Sequence, residues 1–242
     1  MHSGRYSSRI TKPPEGLGVR LVSAGPFSFP LLCVSLALVA CVAPGPVASS
    51  LHPDVTVMPA ARCVEIRARV ACRRGFLEQV ACGRGSREHE SLVVVDAPAS
   101  VVHAALLAVG ARPGQPGAWT AAADGSLRLD PPAGDPVTIR VRWSESGASR
   151  ETAIEAWVRG LDPGAARWVF SGSRFAQRQG VDRYVADDSG SLVGLVTFGD
   201  EVVALRQVVP DRVAVKAPGF RANTEAMPPE GEPVTLILKA SP

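Results

Sequence analysis

An excess of charge is missing from most of this chain. Arg5, Arg9, Lys12 and Arg20 against Glu15 supply the whole formal surplus of +3, so residues 41–242 hold 22 basic and 22 acidic side chains. A nucleic-acid binder needs surplus Lys and Arg to displace phosphate counterions, and this balance argues against nucleic acid as a partner. Aromatic residues are only 5% of the chain, but 46% hydrophobic and 20% charged residues speak for a folded core and against disorder or a coiled coil. Cysteine is sparse too. Beyond Cys41 only Cys63, Cys72 and Cys82 remain and no C-x-x-C occurs, so an iron–sulfur cluster lacks its four ligands. H-E-x-x-H, G-x-S-x-G, G-x-G-x-x-G and the P-loop are all absent, and no cofactor is expected.

What is present begins with an export signal. After the basic stretch ending at Arg20, residues Leu21 to Val42 carry no charge and are most apolar from Leu31 on. Pro26 and Pro30 interrupt the run, which suits a signal peptide over residues 1–40 better than a membrane-spanning helix. Leu38-Val39-Ala40-Cys41 resembles a bacterial lipobox, which predicts lipidation of Cys41 and a membrane anchor at the cell envelope; cleavage to a soluble secreted form is the alternative. Residues 41–61, rich in Pro, Ala and Ser, read as a flexible tether, and the folded domain is expected over 62–242.

In an oxidising compartment three thiols suggest one disulfide. Cys72 and Cys82 bracket a turn at Gly75 and are the preferred pair, with Cys63–Cys72 next; three small buried hydrophobes is the remaining reading.

Val64, Ile66, Ala68 and Val70 alternate with Glu65, Arg67 and Arg69, the period of a half-buried strand. The surrounding arginines, from Arg62 to Arg87, then read as a solvated face. The segment 76–82 fits a strand or a helical turn. A β-branched run at 91–95 precedes a helix over 98–110, where Asp96 or Ser100 offers a cap, Val102, Ala105, Leu106 and Val109 form one face, and Gly110 ends it. Residues 137–143 and 152–158 form a hairpin about Ser146-Gly147, and shorter strands follow at 167–170, 184–186, 192–198, 201–208 and 234–239. Asp187-Asp188-Ser189-Gly190 and Ser171-Gly172-Ser173 read as turns. The fold class is therefore α+β: a β-dominated single domain with one well-defined helix following a central strand.

Chemistry has one candidate location. His89, Glu90, Ser91 and His103 combine two imidazoles, a carboxylate and a hydroxyl, types that hold zinc or move protons. Geometry weighs against convergence. Six strand residues carry His89 roughly 20 Å from the strand–helix junction, six helical residues carry His103 about 9 Å, and the offset far exceeds a Zn–N bond of about 2.1 Å. The preferred function is a non-catalytic envelope domain that binds a protein, a glycan or a small molecule, or is structural. Metal-dependent or acid–base catalysis at those four residues is the alternative.

Leu77-Glu78 with Cys82, His89-Glu90-Ser91-Leu92, Val102-His103-Ala104-Ala105-Leu106 through Gly114, Trp168-Val169-Phe170-Ser171-Gly172-Ser173, and Tyr184 to Asp187 with Gly190 occur in an order that resembles the YdjY-domain family, common among exported proteins of planctomycete-type bacteria. The resemblance runs from about residue 62 to the end. It implies export and the extent of the domain; the family has no established activity, so it implies no mechanism. A ferredoxin label sometimes given to the name is unsupported by the thiol count. Relatives carry a longer insertion between the segments matching Trp157 and Trp168, which is about ten residues here.

Overall fold

The computed structural model describes residues 48–121, 123–211 and 219–241. The expected leader and Cys41 lie outside the described residues. The main elements are β1 (Ser49–His52), β2 (Val55–Met58), β3 (Cys63–Val70), β4 (Gln79–Gly83), β5 (Ser91–Val95), α1 (Ala99–Ala108), β6 (Pro136–Glu145), β7 (Ala148–Ala153), β8 (Trp168–Val169), α2 (Val185–Ser189), β9 (Ser191–Gly194), β10 (Val203–Leu205) and β11 (Pro233–Ala240). Eight of the strands close on themselves in the order β3-β11-β6-β8-β10-β9-β4-β5, with β5 returning to β3. The β-dominated expectation holds, and closure into a barrel is the feature that strand patterns alone do not reveal.

The register explains how the barrel is filled. Val64, Ile66 and Ala68 face Leu238, Leu236 and Val234 on β11, which in turn face Ile139, Val141 and Trp143 on β6. Paired residues share a sheet face, so these aliphatic rows point one way and Glu65, Arg67 and Arg69 the other. Val93, Val95, Val193, Val203 and Leu205 continue the same core. The interior is thus occupied by the protein's own side chains.

Residues 49–58 correct the expected tether. Val55 and Val57 are buried, and β2 pairs with residues 63–66 of β3, so folded structure begins well before residue 62. The short alternation of Val55 and Val57 is the signal, obscured by the Pro- and Ala-rich sequence around it.

Helix α1 packs on β2 and β3 and buries Ala99, Val102, Ala105 and Leu106, as its spacing predicts. Its cap differs from expectation. Neither Asp96 nor Ser100 supplies one; the Asp187 carboxylate, from α2, accepts the Ser100 N–H at 2.8 Å, while Asp96 pairs with Arg84. The segment expected as a turn at 187–190 is instead the end of this short helix, closed by Gly190 at φ 73°. Asp187→Ala should therefore cost about 1 kcal/mol although Asp187 lies 87 residues from the helix it caps, measurable as a lower urea midpoint.

The hairpin at Ser146-Gly147 forms, with both residues at positive φ, but its second strand ends at Ala153 and passes into a 3-10 turn at Ile154–Trp157. Two pairs in the barrel are parallel, β4 with β5 and β9 with β10. The connections, residues 84–90 and 195–202, are short for parallel neighbours. They suffice because the strands they retrace are at most five residues long, roughly 17 Å. The first crossover holds His89 and Glu90 and the second holds the buried Glu201.

Candidate functional site

The four residues singled out by sequence do not converge. His89 lies in a 3-10 turn at Glu88–Glu90, is largely exposed, and its Nε2 stands 3.7 Å from the Glu90 carboxylate. Ser91 is buried and its hydroxyl donates to the Arg87 carbonyl at 2.6 Å. His103 sits beyond the opposite end of β5, on α1, with other partners. Among the described residues no group of three or more His, Cys, Asp or Glu is placed to hold a metal ion.

His103 belongs to a different cluster. Tyr184 donates its hydroxyl hydrogen to the Gly172 carbonyl at 2.9 Å, so the imidazole Nδ1–H is the donor toward Tyr184 Oη at 2.8 Å and Gly172 O at 3.1 Å. The ring also meets Phe170 edge-on at 4.9 Å. Burial pushes the His103 pKa down, opposed by the Gly172 bond, which keeps the ring neutral at pH 7. Burial, with the charge of Asp187, pushes the Tyr184 phenol upward. Gly172 permits this approach: its φ is 86°, and a Cβ there would lie 2.7 Å from Pro113 Cβ and 3.4 Å from His103 Cε1.

The flanking serines fasten this segment to the second crossover. Ser171 Oγ donates to the Glu201 carbonyl at 2.8 Å and Ser173 Oγ to the Asp200 carbonyl at 2.6 Å. Both hydroxyls are spent on backbone acceptors, consistent with the turn reading of Ser171-Gly172-Ser173. Glu201 itself is wholly buried, and its carboxylate accepts the N–H groups of Phe198 and Gly199. Gly194 leaves it room, since a Cβ there would lie 2.5 Å from Glu201 Cγ. Burial and the neighbouring Asp200 push the Glu201 pKa up to about 7 against those N–H bonds.

A carboxyl pair follows directly from the parallel register. Gln79 pairs with Ser91, which places Glu78 beside Glu90 one residue earlier, and the Glu78 N–H donates to the Glu90 carbonyl at 3.0 Å. Like charges side by side repel. Burial first, then the hydrogen bond to Glu90 and its charge, push the Glu78 pKa up to about 7, with Arg87 opposing. The Arg87 guanidinium lies 3.8 Å over the Phe198 ring, joining the two crossovers through a cation–π contact. Sequence reasoning named Glu90 and His103 and missed Glu78 beside the first, Gly172 and Tyr184 beside the second, and the buried Glu201. The motifs containing Glu78, Gly172 and Tyr184 were visible, but their adjacency depends on pairings that no local pattern encodes.

The expected Cys72–Cys82 disulfide is absent, as is Cys63–Cys72; all three thiols are free, with Cys63 and Cys82 buried. The register gives the reason. β5 lies between β3 and β4, with Val94 opposite both Arg69 and Cys82, so even Arg69 is two strand spacings, about 10 Å, from Cys82. That exceeds the Cα reach of a disulfide. Cys63 and Cys72 flank opposite ends of the eight-residue strand β3. Burial pushes the Cys63 and Cys82 thiols up, so both remain protonated.

The family model of the YdjY domain matches residues 55–239, most of the chain. No curated protein and no solved structure matches it.

Proposed function

Because the chain belongs to the YdjY-domain family, we propose that it is an exported domain, held at the cell envelope by a lipid on Cys41, with a non-catalytic binding or structural role. The observation that carries this reading is the way the polar motifs are used. The His103 Nδ1, the Tyr184 hydroxyl and both Ser171 and Ser173 hydroxyls are committed to internal acceptors. The barrel interior is filled by aliphatic side chains, so a ligand must be read on the outside. The leader and lipobox support export, and the neutral charge balance of residues 41–242 supports a partner other than nucleic acid.

The alternative, metal-dependent or acid–base chemistry at His89, Glu90, Ser91 and His103, is tested by metal analysis of the purified protein beside His89→Ala and His103→Ala. The expected result is no stoichiometric zinc in any of the three. His89→Ala should leave stability within about 0.5 kcal/mol, as for an exposed side chain. His103→Ala should cost about 1–3 kcal/mol by leaving part of the Tyr184 and Gly172 network unpaired. One zinc per chain, lost in both variants, would replace this reading with the catalytic one.

A further inference from the structure

The barrel wall contains a break. Residues Arg140 to Glu145 of β6 pair with β7, whereas Pro136 and Val137 pair with β8. Thr138 and Ile139 fall between, paired only with β11 on their other side. A cleft of ≈710 Å³ opens there, between Ala153 and Glu155 on one flank and Pro163, Ala166 and Trp168 on the other. That volume lies within the range of small-molecule sites.

The lining has two chemistries. Pro136, Ala153, Pro163, Ala166 and Val169 give it an apolar body. Three arginines, Arg140, Arg167 and Arg206, also line it. Arg140 is paired with Glu151, and Glu155 accepts the Trp168 indole N–H at 2.7 Å. Arg167 Nη1 donates to the Gly164 and Ala166 carbonyls, both at 2.9 Å, and has no carboxylate partner among the described residues. The Arg206 side chain is exposed and has no partner among the described residues. Three cations against two carboxylates leave the cleft positive, with the donors of Arg206 unspent.

We infer that this cleft in the barrel wall binds a small amphipathic anion, its apolar body against Pro163, Ala166 and Ala153 and its anionic head on Arg206. The inference rests on the proposed binding role and gives it a place and a ligand class. A few directed polar groups on an apolar concavity are the usual design of such sites, and an unpaired guanidinium is the group that matches a carboxylate or phosphate head.

The test is titration of the full mature chain with decanoate, decan-1-ol and acetate, read by calorimetry and by tryptophan fluorescence, since Trp168 lines the cleft. Saturable one-to-one binding of decanoate is expected, with decan-1-ol and acetate each at least about tenfold weaker because each supplies only one half of the recognition. Arg206→Glu should weaken decanoate about tenfold by reversing the charge under the head group. Thr138→Trp, at an exposed position on the cleft floor, should abolish binding by filling it. Circular dichroism and thermal melting confirm that both variants fold. No saturable decanoate binding, equal binding of decan-1-ol, or unchanged affinity in the two folded variants would overturn the assignment. Any of these with Cys41 found lipidated would remove the cleft ligand and leave the envelope reading in place.

Discussion

Raising the pH from 5 to 8 should destabilise the fold by about 3 kcal/mol, the opposite of the usual behaviour of a protein whose carboxylates are paired with cations. Glu201 is wholly buried and its pKa is pushed up to about 7 by burial, then by Asp200. In the unfolded chain the same group titrates near about 4.3. Between these values the folded state holds a proton that the unfolded state has released, so stability falls as pH rises. The contribution is complete below about pH 4.3 and is lost as the pH passes through about 7. Glu78 titrates in the same window and the same direction, for burial and for its bond to Glu90, but its part-exposed position screens the effect and makes its share smaller.

Of the groups of the other sign, His103 is half-buried with a lowered pKa, so it gains stability as the pH rises through its ordinary range and offsets a part of this loss; the acids act elsewhere. Asp96 beside Arg84 and Asp135 beside Arg112 have lowered pKa values and lose their contribution only when the pH falls into the acid range. Urea unfolding at pH 5, 6, 7 and 8 measures the slope. Glu201→Gln keeps an oxygen for the Phe198 and Gly199 N–H groups and removes the titration, so it should flatten most of the profile. A flat wild-type profile, or one that rises toward pH 8, would contradict the assignment of Glu201.

Trp157→Ala should be the most damaging single truncation, costing about 3–5 kcal/mol. Trp157 is fully buried and meets Trp143 edge-to-face at 5.5 Å, in a chain with few other large side chains to close the gap. Its indole N–H is buried with no hydrogen-bond partner among the described residues. Trp157→Phe therefore removes an unsatisfied donor along with part of the ring, and it should retain more than half of the stability that Trp157→Ala loses. Chemical denaturation of both variants reads the difference. An equal loss in the two would mean that the N–H has a partner worth as much as the packing.

The sequence disclosed the elements with strong local periodicity. The alternation of Val64, Ile66, Ala68 and Val70 became β3, and Val102, Ala105 and Leu106 became the buried face of α1. Local turn chemistry was equally readable at Ser146-Gly147. The helix cap was not, because Asp187 reaches α1 from a distant segment and leaves no spacing to recognise. Residues 192–198 and 201–208 read as two ordinary strands. Only the parallel pairing of Val193 with Val203 shortens them and turns the intervening residues into a crossover built around Glu201. The site suffered from the same limit. His89 and His103 are close in sequence and separated by a full strand, whereas Glu78 and Glu90, in different motifs, become neighbours once β4 and β5 pair. Barrel closure itself depends on three rungs between β3 and β5, joining residues 68–70 to 93–95.

Export with a lipid on the first mature residue remains the claim on which the functional account stands. Mass spectrometry of the amino-terminal peptide from protein recovered with the membranes of the native host tests it most directly. The account predicts a chain beginning at Cys41 and carrying a thioether-linked diacylglycerol. A chain beginning at Met1 in the cytosol, or a membrane-free chain with an unmodified Cys41, would contradict it.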